Sequence, residues 1–321
     1  MFLKRSILCL ILLLTVSPLF SQQVYRNQEF SMSNENDAYI FNNSDRYYSN
    51  GLIAHYRFVP GTASFLSNKR ADSVKRVVDI ELSQKFYTPR NLTLDDVNDF
   101  DRPYAGILYL GVTFSDFWKK NQRLEYGTEL GVIGRISGSS GLQDWYHRVV
   151  GFPIPRGWRY QIPNEFIFNF KGEYNYQAWL VPGKVDVITS TSVSLGSAFT
   201  HAYQRADIRL GRLRDLNSSA FKNSLIGEGS AEFGNHGYVF AGVGYQWVGH
   251  NITIQGSPFN DRAPHTEELE GFVNHFRVGW AFSSTNATFK ITYNQLSKEI
   301  TTADSHKYVA LELLLRFRPR N

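Results

Sequence analysis

Three stretches of the chain carry residue types able to work on a polar bond. Glu35-Asn36-Asp37 and Asp45-Arg-Tyr-Tyr-Ser49-Asn-Gly51 concentrate carboxylates, amides and a hydroxyl near one another in sequence. A hard cation such as Ca2+ takes about six to eight oxygen ligands and accepts all three kinds, so Asn36 and Asp37 are candidate metal ligands. In a regular strand their side chains point to opposite faces, and both serve one site only if the backbone bulges or one contributes its carbonyl. The third stretch is Gly141-Leu-Gln-Asp-Trp-Tyr-His147-Arg-Val-Val-Gly151, which reads as a short helix of about two turns bounded by glycine. Gln143 and His147 are four residues apart and share a face of that helix. A histidine so placed suits a general base near neutral pH. Taken singly, each residue also fits an ordinary role in a turn or a cap.

The elements that would bring these stretches together are strands. Phe166, Phe168, Phe170, Tyr174, Tyr176 and Leu180 alternate with Asn169, Lys171, Glu173, Asn175 and Gln177, a period of two sustained for longer than the five or six residues of an ordinary strand. Val77 to Tyr87, Leu124 to Val132 and the segment ending in Val309, Leu311, Leu313, Leu315 and Phe317 repeat the pattern. About twelve such segments follow one another, an even number with lengths near ten residues. Closure leaves no unpaired backbone edge in lipid, so the expected fold is an all-β transmembrane antiparallel β-barrel with a short helix in the third extracellular loop. With both ends periplasmic, the outer loops are 42–47, 88–103, 135–165, a short one near Ser197, 249–271 and 297–306. The first two strands are then hairpin partners, placing Asp37 and Ser49 near each other at the rim. The inner connection from Arg212 to His236 is long for such a barrel and has no assignment from the pattern.

Composition agrees. The chain has 321 residues with 24 Phe, 18 Tyr and 6 Trp, which suits aromatic girdles. Residues 1–21 read as a signal peptide: Lys4 and Arg5 precede an apolar run, and a Ser-Pro-Leu-Phe-Ser exit follows. The barrel domain is then 22–321. Cleavage would remove Cys9, the one cysteine, and a disulfide framework is excluded. No later stretch reaches the roughly 18 apolar residues of a spanning helix. The formal net charge of +5 is compatible with an anionic partner. No basic cluster with interleaved aromatics suggests nucleic acid, and the remaining histidines show no paired metal-ligand spacing.

Taken together, Glu35-Asn36-Asp37, Asp45 to Gly51, Tyr87-Thr-Pro89, Asp101-Arg-Pro-Tyr-Ala-Gly106, Gln143-Asp-Trp-Tyr-His147-Arg and Gly157-Trp-Arg-Tyr-Gln161 with Glu165 resemble the LpxR family of outer-membrane lipid A 3'-O-deacylases. The order and spacing agree over nearly the whole mature chain. The resemblance implies a twelve-stranded barrel with a calcium-dependent site between the outer rim and a loop helix, with chemistry similar to phospholipase A2. Asn36 and Asp37 look like the pair near the metal, and His147 looks like the base that activates water. Ser49 falls where the family commonly has Thr, so the hydroxyl is kept. Gln143 and Glu165 resemble polar residues of the same cleft. For a basic group at the site, Lys85, Arg90 and Arg102 are candidates by position, and Arg46, Arg148 and Arg156 suit the phosphates of lipid A in the lipopolysaccharide leaflet.

Two rivals stay open at this point. Tyr47-Tyr-Ser49-Asn-Gly51 is similar to the His-x-Ser-Asn-Gly of outer-membrane phospholipase A, a serine esterase, but Tyr47 stands where its histidine belongs, and a serine nucleophile needs an adjacent base. A non-catalytic pore or anchor is the other, its lumen plugged by ion pairs among Asp79, Glu81, Lys171 and Glu173.

Overall fold

The computed structural model describes residues 26–40, 46–61, 63–67, 70–119, 121–227 and 234–318. The expected signal peptide, Cys9 and Asp45 lie outside them. Twelve strands form one closed barrel: β1 (Gln28–Asn36), β2 (Tyr47–Phe58), β3 (Ser73–Thr88), β4 (Ala105–Trp118), β5 (Gln122–Ile133), β6 (Glu165–Val181), β7 (Val185–Gly196), β8 (Phe199–Gly211), β9 (His236–Asn251), β10 (Phe272–Ser283), β11 (Ala287–Leu296) and β12 (His306–Phe317). Each pairs antiparallel with the next, and β1 closes on β12 from Gln28–Phe317 to Asn36–Val309. No described helix is long and apolar enough to cross a membrane.

Alternation decides the two surfaces. Phe30 and Met32 of β1 are exposed on the outer wall while Glu29 and Ser31 are buried in the lumen. In β3 the same split sets Ile80 and Leu82 outside and Asp79, Glu81 and Ser83 inside. An apolar belt therefore surrounds a polar interior, as a barrel in lipid requires.

The interior is filled by the groups the sequence offered for plugging it, and more. Arg57 bonds Glu29 at 3.1 Å and Asp79 at 2.8 Å; Lys171 bonds Glu129 at 2.8 Å and Glu81 at 3.3 Å. Glu173 receives Arg123 at 2.9 Å and Lys222 at 2.7 Å. Lys222 belongs to the long connection after β8. Its described part, 212–227, folds back into the barrel at the end where the chain termini lie. Leu216 and Ile226 join Val77, Phe117 and Ile188, while Leu213, Ala220 and Leu225 join Tyr238, Phe240 and Ala281. The connection is long because it is a plug. Its apolar residues have no strand period, so alternation could not reveal it.

Among the described residues, two α-helices lie in loops at the opposite rim: α1 (Ser139–Val150) and α2 (Ile252–Gln255). The helix α1 has 12 residues and begins before Gly141, so it is longer than two turns and that glycine is internal. Its left-handed flanking residues are Gly138 and Gly151, and the Gly151 N–H closes onto the His147 carbonyl at 2.8 Å. Strand β1 stops at Asn36, and a 3-10 turn spans Asp37–Ile40.

Candidate active site

The site lies on the outside of the barrel wall. The helix α1 crosses the outer face of β4 and β3 and reaches β1 and β2, and a cleft of about 220 Å³ opens between helix and wall. The wall contributes Asn34, Asn36, Ser49, Asn50, Leu52 and Phe86; the loop contributes Leu142, Gln143, Trp145, Tyr146, His147 and Phe152. Four of the residues singled out from sequence, Asn36, Ser49, Gln143 and His147, are brought together there.

Ser49 reaches this face through a defect in the strand. The register of β2 against β3 runs Tyr48–Tyr87 and then Asn50–Phe86, which leaves Ser49 as an extra residue. In a regular strand Ser49 would share the lumen side with His55 and Arg57. The bulge instead leaves Tyr48 inside and lets Ser49 and Asn50 both line the outer cleft. The residue before it, Tyr47, has φ of 63°, a left-handed conformation that an aromatic residue rarely adopts. Its hydroxyl donates to Asp101 at 3.0 Å and accepts the Asp304 N–H at 3.0 Å, so two other loops hold it there. Tyr48 is held from inside by a hydrogen bond to Glu35 and by the Tyr87 and Tyr308 rings.

On the helix, Gln143 and His147 form the buried face with Ser139. The His147 Nδ1 lies 2.6 Å from the Pro153 carbonyl oxygen, which can only accept, so Nδ1 carries the proton and Nε2 keeps a lone pair. Gln143 Oε1 accepts the Trp158 indole N–H at 2.8 Å. Ser49 Oγ shares a hydrogen bond of 2.9 Å with Thr88 Oγ1. Asn36 Oδ1 accepts the Ala38 N–H and Asp37 Oδ2 accepts the Arg46 N–H, both at 2.7 Å. Tyr39 donates to Asn34, and burial holds its phenol above its ordinary pKa, so it remains a donor.

The motif Asp101-Arg-Pro-Tyr-Ala-Gly106 explains how α1 is held to the wall. Asp101 anchors Tyr47 and accepts the Arg90 N–H at 2.9 Å. Arg102 is buried, 4.8 Å from the Tyr87 ring centroid, and donates to Thr253 at 2.8 Å and to Glu299 at 3.3 Å. Tyr104 packs with Phe100 and Trp158. Gly106 faces outward beneath the start of α1, where a Cβ would collide with the Ser137 and Ser139 side chains. Gln84, also on the outer wall, donates to the Ser137 carbonyl at 2.7 Å.

Other candidates are placed elsewhere. Lys85 points into the lumen, its ammonium 5.5 Å from the Tyr109 ring centroid. Arg102 is enclosed by the rim loops. Glu165 accepts from Ser257 at 2.6 Å and Asn260 at 3.3 Å, tying β6 to the loop after α2, and does not line the cleft. Asp37 is buried at the turn that follows Asn36. Arg148 is exposed on the outer side of α1. Asn34, Tyr39, Trp145, Phe152 and the Pro153 carbonyl were not picked out from sequence. Of these, Asn34 had a signal, since it lies two residues before Asn36 on the same strand face.

A family model described as Outer membrane protein LpxR matches residues 8–317. The structure of LpxR from Salmonella typhimurium aligns with a TM-score of 0.72 at 22% identity, covering 90% of this chain and 100% of that one. The β domain of the Bordetella autotransporter BrkA aligns with a TM-score of 0.48 at 8% identity over 92% of this chain and 100% of that one. No curated protein matches the chain.

Proposed function

Because the chain belongs to the LpxR family of outer-membrane proteins, we propose that it hydrolyses acyl esters of lipid A in the cleft between α1 and the barrel wall, with the rim opposite the termini facing the cell exterior. The observation that carries this reading is the imidazole of His147, with its proton fixed on Nδ1 and its lone pair on Nε2, in a cleft shared with Asn36, Ser49 and Gln143. In the reaction, Nε2 takes a proton from a water as the water oxygen attacks the ester carbonyl carbon. The imidazolium then returns that proton to the leaving alkoxide as the carbon–oxygen bond breaks, releasing a fatty acid and a free lipid hydroxyl. The Pro153 carbonyl keeps the ring oriented through both transfers and stabilises the charged form.

Oxygen donors suit a calcium ion here. Asn36 Oδ1 and Asp37 Oδ2 each accept a backbone N–H, both are the kind of oxygen that Ca2+ takes, and the Ser49 hydroxyl is close to Asn36 in the cleft lining. Asn36 and Asp37 would hold it, and when bound it would polarise the ester carbonyl. Exposed Arg148 and Arg156 suit the lipid phosphates as point contacts at the mouth.

Ser49 as a nucleophile is less well supported. Its hydroxyl bonds Thr88 rather than an imidazole, and Tyr47 occupies the position of the histidine that such an esterase needs. A pore is disfavoured by the plug and the ion pairs that cross the lumen. The test is mass spectrometry of lipid A from cells expressing wild type, His147→Ala and Asp37→Ala, with and without a chelator. Loss of acyl chains only in the untreated wild type is expected; an unchanged lipid A profile in every case, with the proteins inserted, would end the proposal.

A further inference from the structure

The outer face of the loop carrying α1 has a composition that water does not explain. Trp145 is 61% and Val149 66% exposed, and Ile136, Val150, Phe152 and Ile154 are exposed beside them. Trp145, Arg148 and Val149 fall at i, i+3 and i+4, so they form one side of the helix, opposite Gln143 and His147. Three exposed arginines, Arg135, Arg148 and Arg156, are interleaved with the apolar residues. A contiguous apolar surface of this kind marks an interaction site, and its cations select for an anionic partner.

The neighbours of the loop identify that partner. Its start is seated on Gly106 and Gln84, both on the outer wall, and the next outward residues along those strands are Leu108 and Leu82. Two residues of strand span about 7 Å. Leu82, Leu110, Met32 and Leu52, all exposed, belong to the apolar belt just below. The loop surface therefore continues the lipid-facing surface of the barrel without a polar break. Amphipathic helices at a membrane surface bury their apolar face by about 5–10 Å, which matches this step.

We infer that residues 135–156 are seated in the membrane leaflet around this rim, with Trp145, Val149 and Ile154 among acyl chains and Arg135, Arg148 and Arg156 at the level of lipid phosphates. The partner is the anionic leaflet itself. Trp145 both lines the cleft and is exposed to the outside, so the cleft mouth opens sideways into lipid rather than upward to water or inward to the lumen. This consequence rests on the cleft being the active site, whereas the seating of the loop does not.

The test uses the full chain in vesicles of phosphatidylcholine and phosphatidylglycerol brominated on the acyl chains. Emission of Trp145, taken as the difference between wild type and Trp145→Phe, is expected to be quenched like that of the lipid-facing Trp280, and to be protected from iodide in water. In the same vesicles, Val149→Asp and Ile154→Asp are each expected to lower hydrolysis of a lipid ester about tenfold or more, the value of burying one such side chain, while hydrolysis of a short soluble ester is unchanged. Iodide quenching of Trp145 without bromine quenching overturns the inference. Bromine quenching in a protein that cleaves neither ester leaves the seating intact and removes the deacylase reading instead.

Discussion

His147 and Pro153 lie in one loop, and the carbonyl oxygen of the second is 2.6 Å from Nδ1 of the first. The α1 helix ends between them at Gly151, whose left-handed conformation turns the chain back toward the imidazole. The imidazole and the group that fixes its tautomer are thus delivered by a single helix terminus. Replacing His147 with Ala or Asn should reduce turnover by about 10²–10⁴-fold, the usual contribution of a positioned general base. Steady-state kinetics on a purified lipid ester checks this, and a residual rate within a few-fold of wild type would assign the proton transfer elsewhere.

Gly106→Val tests the seating of α1. The new side chain would occupy the space of Ser137 and Ser139 and lift the helix from the wall. A displacement of about 1 Å can cost about 10²-fold in rate, so activity should be lost. The barrel itself should persist, because Gly106 lies at the rim end of β4. Heat-modifiable mobility in electrophoresis should match wild type.

Tyr47→Phe removes both hydrogen bonds that hold the left-handed residue ahead of the bulge. Asp101 then loses a donor in a partly buried place, a loss of about 1–3 kcal/mol. The expected result is a lower kcat with KM little changed, because Ser49 and Asn50 are displaced while the lipid-facing surfaces remain. Tyr47→Gly, which accepts a positive φ without strain, should restore part of the rate relative to Tyr47→Val.

Chelation should abolish activity in the wild type, and Ca2+ should restore it better than Mg2+, which demands a smaller octahedral site. Asp37→Asn removes the charge while keeping an oxygen, so it should raise the Ca2+ concentration needed for half-activation. Activity at full strength in a chelator would exclude the metal.

Deleting 214–226 should convert a silent protein into one with measurable single-channel conductance, since the segment fills the barrel at the end holding the termini. Glu173→Gln should destabilise the same region by about 3–5 kcal/mol, because Lys222 would be left buried without its carboxylate, while Arg123 keeps Glu125. Thermal unfolding in detergent checks the second effect.

The closed barrel was legible because alternation is a local signal that each strand repeats. The pairing of His147 with Gln143 was legible for the same reason, through helical spacing. The plug was not, since Leu216 and Ile226 show their purpose only against Val77 and Phe117 from distant strands. Alternation also places Lys85: the bulge between Tyr48 and Asn50 affects β2, while β3 keeps its period and turns Lys85 inward beside Phe86 facing out. The role of Asp101-Arg-Pro-Tyr-Ala-Gly106 was also hidden. Its charged residues suggest chemistry, but Arg102 is sealed against Tyr87 and Glu299, and the motif works as a clasp.

The bulge at Ser49 has one more implication. A membrane barrel is a partition with two chemically different sides, and every residue is allotted to a side by counting from its neighbours. Removing Ser49, the extra residue between Tyr48 and Asn50, would restore the count, take the hydroxyl out of the cleft and leave the rest of the partition standing. Such a deletion would separate the scaffold from its reactivity with no change in any side chain that remains.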